Sequence, residues 1–174
     1  SEAELHAVLG RLQSANFIVE GQLLPDLEYT FRHVLMHDVA YASLLQERRR
    51  SLHGQVVGAM ERLYQHRLTE HAEALGHHAM QGQRWTEAVT YLRLAADKAR
   101  GQSAHRQAIA HLEQALTALT HLPESRERDT QAVDLRIDLR TSLFLLGDTA
   151  RNTVVLAEAE QLAEALGDAR RLGW

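Results

Sequence analysis

Eleven histidines are the residues of this 174-residue chain best suited to chemistry. His33 and His37 stand at i and i+4 with Asp38 adjacent, so on a helix two imidazoles share one face. A zinc site of that kind needs a third protein ligand and outer-shell support. His71, His77 and His78 fall on a different predicted helix, and nothing in their spacing brings them to the first pair. The histidines therefore read as scattered surface or half-buried side chains, and no metal is expected. With no cysteine, thiolate ligands, disulfides and cysteine nucleophiles are excluded. The sequence has no GxxxxGK[ST], GxSxG or HExxH, and no GxGxxG after a strand, so it lacks the parts to bind a nucleotide unaided.

Charge is distributed without a stripe. Arg48, Arg49 and Arg50 are consecutive and fan over about 200° of a helix, with Glu47 and Glu61 offering compensation. A net charge of −4 speaks against a general nucleic-acid binder. If residues 3–14 and the hairpin that follows close a winged helix, the DNA-reading helix would open on Glu2 and Glu4, which phosphates repel. Glu158, Glu160 and Glu164 read as the solvated face of the last helix, and no carboxylate pair suggests an acid and base. No catalytic residue is expected in the chain.

The elements that hold these residues are mostly helices. Apolar residues make up 45% and aromatics only 5%, with two prolines, a composition of stacked helices. No apolar run approaches the roughly 20 residues needed to span a bilayer. Leu5, Val8, Leu9 and Leu12 predict a helix over 3–14, with Ser1 and Glu4 as a capping box. Phe17–Val19 and Tyr29–Phe31 predict a hairpin whose long loop holds Gly21, Pro25 and Asp26. From His33 the chain reads as helical. Val34 to Leu45 form a helix bent near Gln46, Leu52 to Tyr64 the next, and Leu68 to Met80 a third, stopped by Gly82. Trp85, Ala88, Val89, Leu92, Ala95, Ala96 and Ala99 make the cleanest stripe, ended by Gly101. Ala108 to Leu119 repeat it, closed by Pro123. Residues 131–146 carry apolar residues on two faces, Ala132, Leu135, Leu139, Leu143 and Leu146 on one and Val133, Ile137 and Phe144 on the other, as a helix inside a stack must. After Gly147-Asp148, a last helix packs through Val155, Ala159, Leu162 and Leu166. A second strip of Val154, Leu156, Ala163 and Trp174 is left uncovered, and Gly167-Asp168 ends the helix. Short links between helices of this length require antiparallel sequence neighbours.

Leu75-Gly76 followed by Trp85, Ala88, Leu92 and Ala95 resembles the small-and-large spacing of a tetratricopeptide repeat (TPR). Ala79 stands where that repeat usually has an aromatic. The expected fold is therefore mainly all-α: antiparallel helix pairs in a TPR-like superhelix, with a small N-terminal β-hairpin.

Tyr29-Thr30-Phe31-Arg32-His33, followed by Leu35, Asp38, Val39, Ala40 and Tyr41, resembles the end of the winged-helix domain in bacterial signalling ATPases of the STAND class. Arg49 or Arg50 with His53, then Gly82, Trp85, Ala88, Tyr91 and Leu92, and then Leu122-Pro123-Glu124, continue the likeness along nearly the whole chain. Many such proteins are fused to a class III adenylate/guanylate cyclase domain and carry TPR-like repeats towards the C-terminus. The resemblance implies a winged-helix end over 1–66, with the hairpin at about 17–31, and a TPR-like region over 67–174. It implies that His33 would reach ADP phosphates supplied by an upstream ATPase; Met36-His37-Asp38 spells the same motif one helical turn later. Both ends of the chain read as cuts through a longer, cytoplasmic protein, and one lysine, Lys98, among 19 basic residues suits a GC-rich bacterial genome. The expected role is a non-catalytic regulatory fragment that passes partner or ligand binding to an attached ATPase, or ATPase and cyclase. A stand-alone TPR-like adaptor that binds peptides is the alternative. No cofactor is expected in the fragment itself, ATP or ADP belonging to the parent. The partners expected are a protein, a peptide or upstream domains, with self-association through the C-terminal helix and neither nucleic acid nor membrane.

Overall fold

The computed structural model describes residues 2–21 and 28–172, of which 75% are helical. Ser1, Pro25, Asp26 and Trp174, invoked above for a cap, a loop and an apolar strip, lie outside the described residues. The chain divides into two compact units, Ser1–Arg49 and Arg50–Trp174. Among the described residues no helix is long and apolar enough to cross a membrane.

In the first unit, α1 (Glu2–Ser14) leads through Asn16, at φ +60°, into β1 (Ile18–Glu20). Asparagine tolerates that left-handed conformation better than most residues. Its side chain also accepts a 2.7 Å bond from Arg32 Nη1. β1 pairs antiparallel with β2 (Tyr29–Phe31) in the register Ile18–Phe31, Val19–Thr30 and Glu20–Tyr29. The hairpin thus begins one residue later than Phe17. α2 (Val34–Ser43) follows, and its C-cap Leu44 is extended, so the chain breaks at Leu44-Leu45 and restarts as α3 (Gln46–Leu63). The bend expected near Gln46 is thus a full break, and the next helix starts at Gln46 and not at Leu52. Only Ile18 is buried among the described residues of this unit.

The second unit holds the rest of α3, then α4 (Ala72–Gln81), α5 (Trp85–Gly101), α6 (His105–Leu119), α7 (Arg126–Leu145), α8 (Thr149–Leu166) and the short α9 (Ala169–Leu172). Consecutive helices pack antiparallel. Residues 65–71 form turns, so α4 starts later than Leu68. In this unit one device closes four of the helices, and it also closes α1 at Asn16. A residue at positive φ (Gln83, Ser103, Gly147 or Gly167) is followed by an N–H that donates to the carbonyl five residues back. The bonds are Arg84 to Ala79, Ala104 to Ala99, Asp148 to Leu143 and Asp168 to Ala163, at 2.8 to 3.0 Å. Such turns reverse the chain while satisfying orphan carbonyls. Gly82 and Gly101, marked from sequence as the terminators, are not the left-handed residues. Gly82 has φ −78°, and Gly101 still belongs to α5. Ser125 Oγ and Asp148 Oδ1 cap α7 and α8 by accepting from the backbone N–H of Arg128 and Arg151.

Alanine lets these helices approach. Ala79, Ala88, Ala95, Ala96, Ala108, Ala115, Ala118, Ala159 and Ala163 are all fully buried, interleaved with Leu75, Leu92, Leu112, Leu135 and Leu143. Each such leucine contributes about 1.5–3 kcal/mol through burial. α7 buries Val133, Leu135, Leu139 and Leu143, but of the two expected apolar faces Phe144 is 70% exposed and Leu146 43% exposed, although Ser142 and Leu143 just before them are fully buried. On α8 Ala159 and Ala163 carry the packing, so Ala163 belongs to the core and not to the uncovered strip.

Candidate functional site

His33 is the N-cap residue of α2, extended at φ −132° and exposed, and its side chain makes no capping bond. The helix behind it is unusual. α2 has no buried residue, although Val34, Leu35 and Val39 are apolar, and Leu45 just beyond it is 80% exposed. His37, one turn on from His33, is held within the unit. Its Nδ1 lies 3.0 Å from Asp38 Oδ1, its ring stacks on Tyr41 at 5.9 Å, and Phe31 meets it edge-on at 5.4 Å. Tyr41 also carries the Arg49 guanidinium 5.0 Å above its ring, a cation–π contact. His33 thus presents a free-standing imidazole at a helix start, while His37 is oriented by three neighbours.

The three arginines 48–50 diverge as their helical fan requires. Arg49 Nε donates to the Leu44 carbonyl, and Arg50 Nη1 donates to Gln83 Oε1 at 2.9 Å. Glu61 does not compensate them; its carboxylate accepts a 2.7 Å bond from the Tyr91 hydroxyl. Burial, then the Glu61 bond and charge, push the Tyr91 hydroxyl up to about 12. Glu158 likewise is not a bare solvated acid, since it accepts from Arg136 Nε at 2.9 Å.

The structure gathers histidines that no spacing connects. His53 on α3 places Nδ1 2.8 Å from Nδ1 of His78 on α4, and the ring of His77 lies 6.1 Å from that of His53. Nothing in the sequence signals the pairing, because it depends on where tertiary packing sets α3 relative to α4. His71 is elsewhere, stacked on Tyr64 at 3.8 Å. Among the described residues no three histidine or acidic side chains are set to hold a metal ion.

A groove of about 400 Å³ lies between α5 and α7. Its apolar floor is Val89, Leu94 and Leu135, and its walls carry Thr90, Arg93, Asp97, Glu127, Gln131 and Asp134. Antiparallel stacking creates it. α5 and α7 both pack on α6, so their side chains meet without the helices being sequence neighbours. Ion pairs span them: Asp138 on α7 accepts from Arg100 Nη1 at 2.9 Å and sits 3.1 Å from Arg93 Nη2, and Arg100 also reaches Asp97. Burial opposes the charge on Arg100, but Asp138 and Asp97 together outweigh it and raise its pKa. At the far end Arg171 of α9 binds Asp134 bidentately, at 2.7 and 3.1 Å, and pairs with Asp168. The Arg171 bond lowers the pKa of Asp168. Most charge here is therefore matched in place, leaving a groove with hydrogen-bonding walls and an apolar floor.

A smaller, nearly all-apolar pocket of about 350 Å³ opens between α7 and α8, lined by Leu139, Ala150, Val154 and Val155 and edged by Glu113 and Arg151. No protein-family model, curated protein or solved structure matches the chain.

Proposed function

We propose that the chain is a non-catalytic regulatory segment of a larger bacterial signalling protein, in which residues around α2 work against an ATPase of the STAND class and the helical array receives a partner. The observation that carries this reading is α2. Its residues bear the family-like pattern, and its apolar side chains Val34, Leu35 and Val39 are all exposed. An apolar helix with no core of its own is a helix made to be covered. His33, exposed at its start, is the residue offered to a nucleotide phosphate held by that upstream domain. The TPR-like character of the array rests on Gly76, where a Cβ would sit 2.9 Å from Leu92 Cδ2, so a missing side chain is what admits Leu92. The α5–α7 groove is the surface offered to a protein or peptide.

Reading the encoding gene upstream of Ser1 tests the proposal. An in-frame phosphate-loop ATPase supports it; a start codon immediately before residue 1 removes it and leaves the peptide-binding adaptor, whose groove is the same. Calorimetry provides a second check, because residues 1–174 alone should bind neither ATP nor ADP measurably. Micromolar affinity for either would overturn the division of labour.

A further inference from the structure

α3 is the helix by which the chain passes from one unit to the other, Gln46–Arg49 belonging to the first and Arg50–Leu63 to the second. Within the second unit this helix buries few side chains. Val57 is its one fully buried residue, with Met60 packed beside it. Polar contacts do much of the rest. Arg84 Nη1 donates to the Gly54 carbonyl at 3.1 Å, Arg50 to Gln83, Tyr91 to Glu61, and His53 meets His78.

The last contact is the only one of these made by two groups that titrate near neutral pH. A bond between two Nδ1 atoms 2.8 Å apart needs one hydrogen between them, and only one. Two states provide it: both rings neutral in opposite tautomers, or one ring cationic. When both rings are cationic, two N–H groups face each other and the bond becomes a repulsion. His77, 5.4 Å from His78 ring to ring, adds to that repulsion when it is charged.

We propose that His53 and His78 form a proton-counting clasp, which holds the Arg50–Leu63 part of α3 on the helical array while the pair carries at most one proton and releases it when both rings are protonated. The inference is independent of the function proposed above. Burial, and then the neighbouring histidine charges, lower the pKa of His53 and of His78 from the ordinary 6.5. A lowered folded value means that the released helix binds protons more readily than the docked one. Docking is therefore strongest above about pH 6.5 and weakens as the pH falls from there towards the lowered values. Charged groups near the pair include His77 on α4, Arg50 one turn before His53 on α3, and Arg84 in the α4–α5 turn, which bonds the Gly54 carbonyl and is paired with Glu87 of α5. Glu61 and His71 lie further along, engaged by Tyr91 and Tyr64.

Hydrogen exchange on residues 1–174 tests the clasp. Amide exchange over Val57–Leu63, corrected for intrinsic rates and referred to α6 in the same molecule, should accelerate about tenfold from pH 7.5 to pH 5.5. In the double variant H53Q/H78Q, whose amides bond without a titrating proton, the same ratio should stay level. An unchanged ratio in the parent protein overturns the proposal, and so does an equal acceleration in the variant, which would assign the effect to His71 or His77. Should the variant fail to fold, imidazole ¹⁵N titration of the unmodified protein decides. A coupled titration, in which the pair takes its second proton well below 6.5, supports the clasp. Two independent titrations near 6.5 refute it.

Discussion

At Gly82 an added Cβ would lie 3.0 Å from the Gly54 nitrogen and from the His78 carbonyl oxygen, both backbone atoms that cannot turn aside. Gly82→Ala should therefore push α3 off the α4–α5 turn and cost about 1–3 kcal/mol in urea denaturation. Gly101 provides the contrast, since nothing lies within 4 Å of its Cβ position. Gly101→Ala should be neutral or stabilise by up to about 1 kcal/mol, through helix propensity alone. Both glycines look alike in sequence as stops after a helical stripe, and the difference is one of close approach. Asp138, with a side chain only 16% exposed, faces two arginines of α5. Asp138→Ala leaves Arg93 and Arg100 without that partner and should cost about 1–3 kcal/mol, read from the same denaturation curves.

Among the elements, α5 is the one whose stripe translates most directly into packing. Ala88, Leu92, Ala95 and Ala99 are all buried, and Gly76 on α4 makes the space that Leu92 fills. Ala88→Leu inserts three carbons where the neighbouring helix has no gap, and about 1–3 kcal/mol of stability should be lost. An unchanged melting temperature would mean that this face does not stack. Other elements were less legible. The α2–α3 break at Leu44-Leu45 has no proline or glycine to announce it. The positive φ of Gln83 and Ser103 is equally silent, because nearby glycines draw the eye to the wrong positions. A tertiary demand, that successive helices reverse within three or four residues, imposes left-handed backbone on residues that would not choose it.

For the whole molecule, part of the apolar surface left uncovered in the second unit lies at the α7–α8 corner, apart from Leu63 and Val56 on α3. Phe144, Leu145 and Leu146 are exposed there, and Val154 beside the apolar pocket is 58% exposed. The uncovered strip read from sequence ran along α8, but Leu156 is half-buried and Ala163 is core. Apolar area of this kind is usually buried by association. Light scattering at high protein concentration should give a mass above that of one chain, and Val154→Asp should return it to the monomer value. A strictly monomeric parent protein would remove the argument.

Periodicity was enough to place the longer helices, the hairpin and the antiparallel order, though not α9 or the start of α4, because short links and a repeated three-and-four stripe leave helices few other ways to bury their apolar faces. Buried alanines at stripe positions made close packing legible for the same reason. The histidines were a different matter. His33 and His37 are neighbours by local geometry, which a sequence can state, whereas His53 and His78 are 25 residues apart and meet only through tertiary packing. The α5–α7 groove, with Asp138 reaching Arg93 and Arg100, is likewise a relation between elements that are not adjacent in the chain. Helical periodicity records which face of a helix turns inward. Which side chains meet across the stack depends on crossing angle and axial offset, and only the packed structure decides those.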